Sequence, residues 1–223
     1  MNFQVVRILE PEEVLGAQAS LARQTFVDGK LTALGLARQV KNNLQASRAD
    51  GEPDPVDQLI LAALSHNPVI QSFAYPKRIT PPLYNRYESG MEYGAHVDSP
   101  IMGTGANQLR TDLSWTIFLS DPASYDGGEL ILETAFGEEE IKLDAGEAIV
   151  YPSTTVHRVA PVTRGVRLAA VGWMQSAVAD DRLRAILFDL NKAVKQAEEN
   201  GPHDSALLLN KSYSNLLRYA LQL

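Results

Sequence analysis

Two periodicities divide the chain. Toward both ends apolar residues recur at helical spacing, whereas from Val69 onward short β-rich runs alternate with turn clusters every ten or so residues. At the N-terminus, residues 5–9 predict a short strand. Pro11-Glu12-Glu13 then opens a helix, with proline and acids in its first turn, and Val14, Leu15, Leu21, Ala22 and Phe26 carry its apolar face as far as Asp28-Gly29. Residues 31–47 fit helix and strand equally well by pattern. Asp54-Pro55 starts a second helix with the face Val56, Leu59, Ile60, Ala63 and Leu64, closing before Asn67-Pro68. After Ser176 the β pattern stops. A helix opens at Asp180 and runs to about Glu199, and a last one runs from Asp204-Ser205 to Leu223, both with leucine-rich faces suited to core packing or, as the sharper alternative, to a homodimer contact.

The middle of the chain carries seven β-rich runs, at residues 82–87, 113–119, 129–133, 139–143, 148–151, 156–159 and 166–173. Asp126-Gly127-Gly128 and Asp144-Ala145-Gly146 are turn signals between them. Runs of this size close into a distorted double-stranded jelly roll, in which alternate residues point into a cavity. The predicted fold is α+β and mainly β. A double-stranded β-helix core (jelly-roll, cupin-like) occupies residues 78–177, preceded by a helical and strand support region at 1–77 and followed by a C-terminal helical extension at 178–223.

Composition narrows the function. A length of 223 residues allows one domain with a sizeable core. The net charge of −7, with no run of Lys or Arg, argues against a phosphate-gripping nucleic-acid binder. There are no cysteines, which removes disulfides, thiolate zinc sites and iron–sulfur clusters. No segment is apolar for long enough to cross a bilayer, and the N-terminus lacks the pattern of a signal peptide, so a cytoplasmic protein is expected.

The chemistry points to His96-x-Asp98, which follows a strand and a glycine-relieved turn. On extended backbone both side chains leave from one face. Of the four histidines, His157 lies in a second β-rich run, while His66 falls at a helix end as a capping or surface residue and His203 lies in an interhelical turn, apart from the metal. Two His and one Asp with coordination positions left open suit non-haem Fe(II) oxygen chemistry. By itself His-x-Asp is a weak signal. Arg167, ten positions after His157, strengthens it, because it sits in an apolar run where arginine is seldom buried without a partner. Alternation there puts Arg167, Ala169, Val171 and Trp173 on one face. The segment 99–110, rich in Gly, Asn and Thr, reads as a loop directly after Asp98, either a solvated connection or a cover over the metal.

His96-x-Asp98, His157 and Arg167 together resemble the Fe(II)/2-oxoglutarate dioxygenase superfamily and, more narrowly, the bacterial PKHD-type hydroxylases, which are relatives of prolyl-4-hydroxylases often associated with iron uptake. The resemblance also rests on Asn85-Arg86-Tyr87, Gly90 to Asp98, Asp126-Gly127-Gly128-Glu129-Leu130, Gly146 to Pro152, and Val40-Lys41-Asn42-Asn43-Leu44-Gln45. It implies that His96, Asp98 and His157 hold Fe(II). It also implies that Arg167 pairs with the far carboxylate of 2-oxoglutarate and that Tyr87 contacts this co-substrate, with no catalytic residue beyond the metal centre. O2 and a small-molecule or peptidyl substrate are the implied partners, L-ascorbate the implied accessory reductant, and succinate and CO2 the implied by-products. An iron- or 2-oxoglutarate-sensing binding protein, or another cupin-type metalloenzyme, would keep much of the same pattern.

Overall fold

The computed structural model describes residues 3–33, 35–47 and 54–221. An eight-stranded antiparallel sheet runs in the order Gln4–Arg7, Glu147–Pro152, Leu113–Phe118, Arg167–Ser176, Leu83–Tyr87, Leu44–Ala46, Phe26–Asp28, and Pro76–Ile79 pairs with the far end of Arg167–Ser176. Facing it, a five-stranded antiparallel sheet runs Gly137–Ile141, Leu130–Thr134, His157–Val159, Glu92–His96, Lys41–Asn42. The two sheets form the expected jelly roll.

Strand alternation divides the interior into two environments. In Leu113–Phe118 every residue is buried, yet Leu113, Trp115 and Ile117 join the core beneath the helices while Phe118 faces the other sheet. The outer core takes its helical half from Val14, Leu21, Ile60, Leu64, Ile70 and Phe73. Truncating such a residue, for example Ile117→Ala, costs about 2–5 kcal/mol. The inner core, between the sheets, contains Tyr87, Phe118, Leu130, Leu132, Ile149, Tyr151 and Val162. Its apolar packing leaves off at Ser114, Thr116 and Arg167, all buried. A polar inner face opposite an apolar outer face is what a cavity wall needs.

Several elements differ from their sequence reading. The first helix ends at Leu21, and Phe26–Asp28 is a strand paired with Leu44–Ala46, because Phe26 serves the sheet edge and not the helix face. Pro68–Ala74 forms a further helix, capped by the Asn67 side chain, which accepts from the backbone N–H of Val69 and Ile70. The ambiguous stretch 31–47 contains a short helix, Gly35–Gln39, and then divides between the sheets: Lys41–Asn42 pairs with Glu92–His96, and Leu44–Ala46 with Leu83–Tyr87. Leu34 lies outside the described residues, as do the two positions ending the predicted last helix, observed as His203–Ala220. Segment 99–110 is a small structured flap. Ile101–Met102 pairs with Leu109–Arg110, and Arg110 clamps Asp112 through two hydrogen bonds of 2.6 and 3.0 Å.

Candidate metal centre and carboxylate pocket

Glu92–His96 and His157–Val159 are neighbours, with His96 and His157 as cross-strand partners. His96 ends its strand and Asp98 lies two residues beyond, so both reach the same point. One ligating atom from each of His96, Asp98 and His157 falls within a cluster no wider than 4.8 Å. His157 Nε2 lies 3.9 Å from Asp98 Oδ2, and the two imidazole centroids are 4.2 Å apart. The same local device orients both rings: Nδ1 of His96 donates to the Gly94 carbonyl (2.8 Å) and Nδ1 of His157 to that of Thr155 (3.0 Å). Since a carbonyl only accepts, this tautomer leaves each Nε2 lone pair free for a cation.

Outer partners complete the set. Ser114 Oγ donates to Asp98 Oδ2 at 2.5 Å and lies 2.8 Å from Ser153 Oγ. Tyr93 stacks on His96 with centroids 3.7 Å apart, and Tyr151 meets His157 edge-on. Burial, and then the neighbouring His157, lower the His96 pKa to about 4, against the opposing pull of the Gly94 carbonyl and Asp98. A ring held neutral at physiological pH is ready to ligate. Gly94 is needed for a different reason: a Cβ there would sit 2.8 Å from Val40 Cβ, so only glycine lets the 40–42 segment lie against the strand.

Arg167 is only 1% exposed and sits on the other sheet, with Tyr87 as its cross-strand partner. Its guanidinium carbon lies 5.2 Å from the Tyr87 ring centroid and 5.0 Å from that of Phe118. Its Nε has no hydrogen-bond partner, and neither does the buried Tyr125 hydroxyl. Burial raises the pKa of Tyr87 and Tyr125, so both remain neutral phenols. Gly128 makes room for this pocket: its φ is +69°, and a Cβ would stand 3.0 Å from Arg167 Cδ and 3.2 Å from Tyr125 Cε2. A buried cation and a buried phenol, both left with unused donors, fit a small dicarboxylate. The donor set of His96, Asp98 and His157 fits Fe(II) equally well.

His66 is exposed and bonds the Ala62 carbonyl, and His203 opens the last helix; neither belongs to the cluster. The sequence reading passed over Ser114, Tyr125, Tyr151 and Lys41. Ser114 carried a signal, as a polar residue in register with the cavity face of an apolar strand. Lys41 lay within the matching stretch 40–45 but was given no role of its own, and Tyr125 carried no signal, because only the tertiary fold brings it to Arg167.

The fold and cluster belong to one class of enzyme: the family model of the 2OG-Fe(II) oxygenase superfamily matches residues 82–175. The chain is 42% identical over 215 residues to a PKHD-type hydroxylase of Alteromonas mediterranea, covering 95% of each chain, and 44% identical over 219 residues to one of Thermosynechococcus vestitus, covering 98% of each. This chain belongs to the PKHD-type hydroxylases. Among solved structures it is similar in fold to a Pseudomonas putida prolyl-4-hydroxylase, with TM-score 0.56 and 20% identity over 78% of this chain and 92% of that one. A Trichoplax adhaerens prolyl hydroxylase gives TM-score 0.57 and 16% identity over 83% and 86%. Among the described residues no helix is long and apolar enough to cross a membrane.

Proposed function

We propose that His96, Asp98 and His157 hold the Fe(II) of this 2-oxoglutarate-dependent hydroxylase, and that Arg167 binds the far carboxylate of 2-oxoglutarate with Tyr87 beneath it. One observation carries this reading: a ligand cluster within 4.8 Å and a buried guanidinium whose Nε is unpartnered both act on buried Tyr151, whose ring meets His157 edge-on. Bound Fe(II) supplies the oxygen activation, with O2 and 2-oxoglutarate consumed, succinate and CO2 released and one oxygen atom placed in a C–H bond of the substrate.

The protein's own residues position and exclude. The Gly94 and Thr155 carbonyls fix the two rings, and Ser114 orients the carboxylate of Asp98, as outer partners of metal ligands do. Arg167 offers a planar fork to the co-substrate carboxylate. Tyr87 and Phe118 flank the guanidinium and keep water from it, which strengthens the pair. The second core, on the Leu130 and Ile149 side, closes the same space. Ascorbate as accessory reductant rests on the resemblance alone. The substrate belongs to this proposal only as a class, small-molecule or peptidyl. A homodimer contact through the C-terminal helices is supported by exposed Leu207, Leu208 and Tyr219, and light scattering on the purified protein tests it.

The decisive experiment is anaerobic Fe(II) titration with 2-oxoglutarate, followed through the visible metal-to-ligand charge-transfer band. The band should appear at one equivalent of iron, and succinate should form slowly when O2 is admitted. A protein that binds Fe(II) and 2-oxoglutarate but never releases succinate above a metal-free control is a sensor and not a hydroxylase.

A further inference from the structure

Lys41 is 5% exposed, and the mechanism above leaves it unused. It lies on the strand flanking Glu92–His96, directly opposite Tyr93. Its Nζ stands 5.2 Å from the centroid of the Tyr93 ring, the ring stacked on His96. Both Asp98 and His96 feel its charge. Among the described residues the only hydrogen-bond acceptor for Nζ is Thr32 Oγ1, at 3.1 Å, and no carboxylate lies within ion-pair distance. Asp28 acts on it only at longer range and is itself exposed, capping the turn at Lys30.

The acceptor is built in. Thr32 Oγ1 donates to Gln45 Oε1, which turns its lone pairs toward Lys41. The Gln45 amide donates to Asn85 Oδ1 at 2.7 Å, and Asn43 reaches the same oxygen at 3.3 Å. All three amide residues are buried. The ammonium is therefore held by the exposed Thr32 hydroxyl, itself anchored to buried amides, while its remaining N–H bonds stay uncommitted.

A charge count says what these bonds are for. Fe(II) and Arg167 bring three positive charges; Asp98 and doubly ionised 2-oxoglutarate bring three negative ones. The loaded site is neutral before Lys41 is counted. Burial lowers the Lys41 pKa only to about 8, so the ammonium stays mostly charged at neutral pH, and one further negative charge would offset the cost of burying it. We propose that Lys41 binds a carboxylate of the primary substrate, so that the hydroxylated molecule is a singly charged acid anchored beside the metal on the Tyr93 side. A phosphate would bring about two charges to a place that offers one cation. This inference rests on the hydroxylase reading of the metal centre.

The test uses protein loaded with Mn(II) and 2-oxoglutarate, titrated by calorimetry with benzoate and with its neutral isostere benzamide. Benzoate should bind at least about tenfold more tightly, the Lys41→Arg variant should keep that preference, and Lys41→Met should abolish it while 2-oxoglutarate affinity stays within about twofold. Equal affinity for the two probes in the wild type, including binding of neither, overturns the proposal without any variant being needed. So does a benzoate preference that survives Lys41→Met. Loss of 2-oxoglutarate affinity in Lys41→Met overturns it too, by assigning the ammonium to the co-substrate. Failure of the underlying reading is distinguishable, because Mn(II)-loaded wild type would then not bind 2-oxoglutarate at all.

Discussion

The two halves of this cavity are finished to different degrees. Each member of the His96, Asp98 and His157 cluster already has its outer partner: a carbonyl for each ring and, from the eight-stranded sheet, a serine hydroxyl for the carboxylate. At the other end, Arg167 on the eight-stranded sheet and Tyr125 in the turn before Asp126–Gly127 are buried with donors unused. The difference follows from what each half must do. Metal ligands have to be aimed before the ion arrives, since free rotamers would cost affinity. A co-substrate pocket, by contrast, can defer its hydrogen bonds, because every turnover consumes the ligand and a fresh one must be able to enter. The price is an under-satisfied cation in the empty protein.

Removing a ligand is the strongest way to break the comparison. Asp98→Ala should weaken Fe(II) binding by well over the roughly 10–100-fold that loss of an outer partner costs, because two neutral imidazoles leave the ion's charge unbalanced. Coupled succinate release should vanish with it. Anaerobic metal titration checks this, and wild-type affinity in the variant would remove Asp98 from the centre.

Arg167→Ala comes next. A charge-assisted bidentate pair is worth roughly 1.5–3 kcal/mol, so 2-oxoglutarate should bind about ten- to a hundredfold more weakly. Arg167→Lys should fall in between, since it keeps the charge and loses the fork. Iron affinity measured without 2-oxoglutarate should hardly move. Thermal stability of the co-substrate-free protein should rise in the alanine variant if the cation is as under-satisfied as its Nε indicates. An unaltered 2-oxoglutarate affinity in a folded Arg167→Ala protein would erase the distinction between the two halves.

Ser114→Ala tests the finished half. It removes one hydrogen bond to Asp98 and should cost about tenfold in metal affinity while leaving the 2-oxoglutarate dissociation constant of metal-loaded protein near wild type. Equal losses in both would mean that the serine supports the cavity as a whole.

The smallest effect is on pH dependence. The folded His96 pKa, about 4, lies below the value near 6.5 of an exposed imidazole. Below pH about 6.5 the unfolded chain takes up the proton first, so metal-free stability should fall as pH drops toward about 4 and the difference should stop growing below it. At neutral pH the ring is uncharged in both states and contributes nothing. Melting temperatures of metal-free wild type and His96→Gln across this range isolate the slope, and parallel curves would contradict it.

Much of this was legible in the chain because it is local. Strand alternation in 113–118 and 167–173, the turn at Asp126-Gly127-Gly128 and the two-residue spacing of His96 and Asp98 are short-range patterns that backbone geometry reads directly. The terminal helices were legible for the same reason. Phe26 was misread because its partner, Ala46 across a sheet edge, overrides local preference, and the pairing of Ile101–Met102 with Leu109–Arg110 within the 99–110 loop was not visible as a pattern.

The sequence by itself pointed to the class of chemistry, through two histidines, one aspartate and an arginine in an apolar strand, while a sensing protein and another cupin-type metalloenzyme stayed open. Tertiary structure decided which groups are satisfied and which are waiting. Whether Arg167 Nε finds an acceptor depends on how the chain packs around it, and whether Lys41 lies beside Tyr93 depends on the pairing of Lys41–Asn42 with Glu92–His96. The contact between residues 41 and 93 is set by a long-range strand pairing, and that between 128 and 167 by the steric limit at Gly128.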